Sequence, residues 1–177
     1  MIETLVTHSV DKKMMAKVTK WLGQALSDTA FDGQAYAVKT LIAHDNVDTG
    51  FLMDNINVDL TRIPKGETRV YTQVPYAPPV EFGAGPSGEQ PTGGWWPPEA
   101  PIKAWVARKL GKTGKDLDKT TWAIRNAIHK RGLVPAPFMR PAADHMRKQL
   151  AIYAERAIGR AFKEETGPLT VISKEVH

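Results

Sequence analysis

Apolar side chains at Met14, Val18, Trp21, Leu22, Ala25 and Leu26 return every three or four positions, the spacing of one face of an α-helix. The period resumes at Ala35, Val38, Leu41 and Ile42, which predicts one long helix, or two in near succession, over residues 11–45. Asp48-Thr49-Gly50 then reads as a turn. From Asn55 to Ile63 the period drops to two, with Ile56, Val58 and Leu60 on one face and Asn57, Asp59 and Thr61 on the other. Arg69 to Val74 alternates in the same way. Between them, Pro64-Lys65-Gly66 joins a residue fixed near φ −65° to one that tolerates positive φ, so the two runs are expected to form a β-hairpin.

The next segment carries neither period. Pro75 to Pro101 holds 8 Pro and 5 Gly in 27 residues, a composition that predicts a long exposed loop, with 83–101 as its core. Inside it stands Trp95-Trp96, and two readings are open: the pair packs the loop back onto its own domain, or it anchors an interface. Helical spacing returns at Ile102 to Leu110, stopped by Gly111, and at Asp118 to Arg131, with Asp118 as N-cap and Gly132 as the stop. Pro141 suits the first turn of a third helix running to about Glu165, with Ala142, Met146, Leu150, Tyr153 and Ala157 as its apolar stripe. Leu169 to Ile172 reads as a short closing strand. The expected fold is a single α+β domain over 1–177, a long N-terminal helix and C-terminal helices packed on a small antiparallel sheet.

Charge sharpens this picture. The net charge is +5, but residues 1–75 hold 8 Lys/Arg against 9 Asp/Glu, 76–101 none against 3, and 102–177 hold 16 against 7. Residues 102–132 therefore read as a basic helical insertion, with 9 Lys/Arg between Lys103 and Arg131, including Arg108, Lys109 and Lys112. Such asymmetry fits a polyanion partner, or one copy's basic face on another's acidic one.

Catalytic chemistry finds little to stand on. The absence of Cys excludes a disulfide scaffold, a Cys-ligated metal and a thiol nucleophile. Gly83-Ala84-Gly85-Pro86-Ser87-Gly88 matches a dinucleotide fingerprint by letter, yet Glu89 to Gly94 cannot begin the helix it requires. Gly111-Lys112-Thr113 lacks the first glycine of a P-loop, and the five His are scattered. His44 to Asp48 could offer N and O ligands, but a solvated helix end explains them more simply. No cofactor or metal is expected. The N-terminus shows no basic segment followed by an apolar run, and no membrane span is expected.

Three phrases carry a resemblance: Asp48-Thr49-Gly50-Phe51-Leu52 with Ile56 following; Val74-Pro75-Tyr76-Ala77-Pro78-Pro79-Val80-Glu81-Phe82-Gly83; and Pro135-Ala136-Pro137-Phe138-Met139-Arg140-Pro141-Ala142. Their order and spacing over about residues 11–165 resemble the tail-component family of long-tailed bacteriophages, morphogenesis proteins of tail completion or of head–tail joining at the neck. The resemblance implies a structural virion protein at the head–tail junction or tail, present in the host cytoplasm before assembly. It implies a closed ring of six copies that meets head connector, adaptor or stopper proteins and the tail-tube protein, without catalysis. It marks Asp48, Thr49, Gly50, Leu52, Tyr76, Ala77, Glu81, Phe82, Gly83, Pro137, Phe138 and Pro141 as family positions. In physical terms, Asp48-Thr49-Gly50 should cap and turn the exit from the long helix, Pro78-Pro79 should allow one helical turn ended by Gly83, and Phe138 should plug the core before the last helix. The stretch Gly85 to Arg131 departs from the shortest relatives, and Trp95, Trp96, Arg108, Lys109 and Lys112 within it are the interface candidates. The alternative is a DNA-binding protein using residues 103–131.

Overall fold

A computed structural model describes residues 12–44, 48–89 and 95–165 of the chain. The early helical periodicity produces one uninterrupted helix, α1 (Lys12–Ala43). A single turn, α2 (Phe51–Asp54), follows, and then the hairpin strands β1 (Ile56–Asp59) and β2 (Arg69–Thr72) make a two-stranded sheet. The remaining helices are α3 (Ala77–Phe82), α4 (Glu99–Leu110), α5 (Gly114–Arg131) and α6 (Met139–Glu165). The architecture is α+β, dominated by helices.

Both strands are shorter than their alternating runs, because side chains draw the backbone out of the ladder. The Asp59 carboxylate accepts the Thr61 amide at 3.0 Å and its hydroxyl at 2.6 Å, an Asx turn that ends β1 and holds Asp59 below the usual carboxylate range. Thr72 Oγ1 accepts the Val74 amide and ends β2 in the same way. The hairpin connection contains a 3-10 turn, Ile63–Lys65, closed by Gly66 at φ 76°.

The described residues fall into two compact units, each taking part of α1 and of α6. The first gathers residues 12–35, 57–71 and 143–165. In it α1 and α6 run antiparallel: Lys17 donates to the Glu164 carbonyl, Trp21 lies under Arg160, and Asp32 accepts from His145 at 2.9 Å and Tyr153 at 3.3 Å. Small residues (Ala25, Thr29 and Ala30 on α1, Ala157 and Ala161 on α6) are buried, so the backbones come close. At Gly33 there is no room for more, since a Cβ there would fall 2.3 Å from the Met146 sulfur.

The second unit gathers residues 36–56 and 72–142. Its core holds Leu41, Leu52, Ile56, Val74, Ala77, Val106, Phe138 and Ala142. Helices α4 and α5 pack as a hairpin, and the chain leaving α5 is strapped to the segment after α3. Ala84 and Leu133 exchange amide hydrogen bonds of 3.0 and 2.7 Å, and Ala136 donates to Val80 at 2.9 Å. The strap needs two glycines. Gly83 (φ 70°) and Gly132 (φ 80°) adopt left-handed backbone, and a Cβ on either would sit 2.3–2.4 Å from Leu133 O or Ser87 N.

Several expectations change in detail. The Pro/Gly-rich segment carries α3 and a 3-10 turn, Gly85–Ser87, and Gly85 and Pro97 are buried, so the described part of 83–101 is partly tied down rather than wholly exposed. Helix α4 begins three residues earlier than Ile102. Helix α5 begins at Gly114 after Thr113, so Asp118 is not its N-cap; it stands one turn inside, ion-paired with Lys103. The strand expected over Leu169–Ile172 and the metal-ligand reading of Asp45 and Asn46 lie outside the described residues.

Candidate docking surface in the second unit

The second unit brings the three sequence phrases together. Asp48, Thr49, Gly50, Phe51 and Leu52 line one wall of a cavity of about 580 Å³, and Tyr76 from the second phrase lines it too. Gly50, at φ 81°, is the residue before α2, and Thr49 Oγ1 accepts the Phe51 amide at 3.3 Å, so the turn residues serve the start of α2. Ile102, Trp105, Ile124 and Ile128 of α4 and α5 line the cavity as well. Burial pushes the Tyr76 phenol above its usual pKa, with Asp48 adding to the effect and a hydrogen bond from the Leu52 backbone opposing it.

Asp48 does not cap a helix. Its carboxylate takes the Arg108 guanidinium and lies 3.7 Å from Lys109 Nζ, two of the three cations singled out as an interface. The rim of the cavity is therefore an ion-paired edge around an apolar interior, the usual layout of a site that receives an apolar group and orients it with a few polar ones.

The second and third phrases join through Glu81. Although charged, it is 3% exposed. One oxygen accepts the Phe138 and Met139 amides at 2.7 and 2.8 Å, and the other accepts the Arg140 amide at 3.0 Å and its Nε at 3.2 Å. Burial alone would raise its pKa, but the three backbone amides and Arg140 outweigh it and hold the carboxyl below its usual value. These are the otherwise orphaned donors of the first turn of α6, so Glu81 caps that helix from 57 residues away. Phe138 is fully buried beside it, Phe82 lies half-exposed under Arg140, and Pro141 is the third residue of α6. Pro137 lies outside helix and strand two residues before α6, and Ala77 is buried at the start of α3. The periodicity of the chain could not reveal Glu81's role, because its partners are backbone amides.

The Trp pair packs its segment back onto its own unit, the first of the two readings. The Trp95 carbonyl accepts from His129 Nδ1 at 2.7 Å, which places a proton on that nitrogen. Trp96 stacks on the His129 ring at 4.1 Å between centroids and 10° between planes, with Arg125 on it as well, yet stays 43% exposed. Arg125 in turn holds Glu99 at 2.6 Å and the Pro97 carbonyl at 3.0 Å.

Ion pairing also sorts the charges that composition only counted. All three carboxylates of residues 76–101 already have cations: Glu81 and Glu89 share Arg140, and Glu99 has Arg125. Of the nine cations between Lys103 and Arg131, Lys103, Arg108, Lys109 and Arg125 are paired. Lys112, Lys115, Lys119, Lys130 and Arg131 make no ion pair with another described residue. Among the described residues no three His, Asp or Glu side chains converge as metal ligands, and no helix is long and apolar enough to cross a membrane. Comparison with protein-family models, with characterised proteins and with solved structures gives no match.

Proposed function

We propose that the protein is a structural component of a long-tailed phage virion, a tail-completion or neck protein acting by ring assembly and docking at the head–tail junction or tail end. The observation that carries this reading is the meeting of the three family-like phrases in one unit. Asp48 to Leu52 and Tyr76 line one cavity, and Glu81 binds the amides of Phe138, Met139 and Arg140. Phrases up to about 90 positions apart in the chain thus build one framework, and their polar groups hold backbone and cations in place, which is scaffold chemistry.

The contact between copies is then mainly apolar. The carboxylates of 76–101 are engaged inside the unit, so they leave little charge to offer a neighbour's basic helices. The second unit instead exposes Phe51, Tyr76, Trp105 and Val134, large apolar side chains of the kind that interfaces cover. A head-to-tail contact of this sort closes only if the rotation between copies completes a circle.

Size-exclusion chromatography with light scattering and negative-stain microscopy test this, using the full chain alone and mixed with connector or tail-tube protein. Rings are expected, alone or on the partner. A monomer at high concentration that also ignores both partners would overturn the proposal.

A further inference from the structure

One surface is not used by that reading, the outer face of α5. Lys115, Lys119, Trp122, Asn126 and Lys130 fall within roughly a quarter of the helix circumference at 3.6 residues per turn, and all but Asn126 are exposed. Trp122 is 60% exposed, a large indole with no apolar cover, at the centre of the stripe. The three lysines have no ion-pair partner among the described residues. They span roughly 22 Å at 1.5 Å per residue. Two carboxylates lie nearby: Asp118 is neutralised by Lys103, and Asp116 sits on the flank of the helix rather than in the stripe. On the other flank is His129, with Trp96 stacked on it.

We propose that this face binds single-stranded nucleic acid, with Lys115, Lys119 and Lys130 on phosphates spaced along one strand and Trp122 stacked against a base. Spaced, unpaired cations complement a phosphodiester backbone, and an uncovered indole between them offers the flat apolar face on which an unpaired base stacks. A duplex hides its base faces, and a uniformly acidic chain such as polyglutamate has no planar ring among its charges. Single-stranded nucleic acid uses both features. The proposal does not depend on the virion reading.

The test is fluorescence anisotropy of a labelled oligothymidine titrated with the full-length chain over a salt series. Three phosphate contacts predict that log K falls against log salt with a slope of about −2, and each Lys→Gln change at 115, 119 or 130 should reduce it by about 0.7. W122A should weaken binding by about tenfold while leaving the slope unchanged. R108Q and K109Q, cations already held by Asp48, should change neither. Circular dichroism checks that the variants fold, which exposed positions favour. Absence of binding at low salt overturns the proposal. So does binding that W122A leaves untouched, duplex binding as tight as single-strand binding, or equal binding of polyglutamate, the last pointing to an acidic protein partner.

Discussion

Removing the Glu81 carboxylate should cost the second unit a large share of its stability. E81A leaves the amides of Phe138, Met139 and Arg140 without acceptors in the first turn of α6, and deprives Arg140 of one of its two carboxylates. Loss of a side-chain cap alone is worth about 1 kcal/mol. Leaving buried backbone donors without an acceptor adds about 1–3 kcal/mol, so a total of about 3 kcal/mol is expected here, because the Phe138 amide is buried and Glu81 is 3% exposed while Arg140 keeps Glu89. E81Q keeps the volume and one oxygen but turns an NH₂ group toward backbone donors, so about 2 kcal/mol is expected. Urea unfolding followed by tryptophan emission reads this unit directly, since four of the five Trp lie in it (Trp95, Trp96, Trp105 and Trp122). The midpoint should fall in the order wild type, E81Q, E81A, with the slope unchanged. The pH dependence has a definite sign. Because the folded carboxyl titrates below its ordinary value of 4.5, its stabilisation is complete above that pH and disappears as pH drops through the lower folded value. The gap between wild type and E81A should therefore narrow below about pH 4.5. A loss under about 1 kcal/mol at pH 7, or a gap indifferent to acid, would refute the capping argument.

Two further outcomes follow from the same unit. G132A forces a side chain into left-handed backbone against Ser87 N, and should lower stability by about 3 kcal/mol and Tm by about 8 °C, read by calorimetry; an unchanged Tm would mean that the strap is not tight. D48N releases Arg108 and Lys109, whose pair with Asp48 is partly exposed, so stability should change by less than about 1 kcal/mol while the protein elutes later from heparin; unchanged elution would show those cations were not masked.

What could be read beforehand follows the range of the forces involved. Helix α1 and the hairpin are written in local period and turn chemistry, and Gly111 and Gly132 mark the ends of α4 and α5 by the same local logic. The start of α5 escaped because Asp118 has the better intrinsic claim to an N-cap, whereas the helix begins a turn earlier, after Thr113, and Asp118 pairs with Lys103 instead. Strand lengths were overestimated for a related reason, since Asp59 and Thr72 redirect the backbone with their own side chains. Glu81 could be marked as a position of interest but not as a cap, since nothing in its neighbourhood names the three amides 57 to 59 residues ahead.

Charge gives the sharpest case of composition misleading a functional reading. The excess of 16 cations over 7 carboxylates in residues 102–177, beside a wholly acidic 76–101, invites the idea that the two segments meet across copies. Folding makes that meeting an internal one: Arg125 and Arg140 reach back to Glu99, Glu89 and Glu81. Arg108 and Lys109 are likewise satisfied by Asp48. Within residues 102–132 the cations left over are those of α5 and the turn before it, Lys112, Lys115, Lys119, Lys130 and Arg131, which make no ion pair with another described residue. An exposed charge pair contributes little to stability, whereas an unpaired cation still carries a field that a polyanion can use. The charge on α5 available to a polyanion is therefore that of the lysines folding leaves unpaired, and the apolar surface around the cavity is that of phenylalanine, tyrosine and tryptophan side chains.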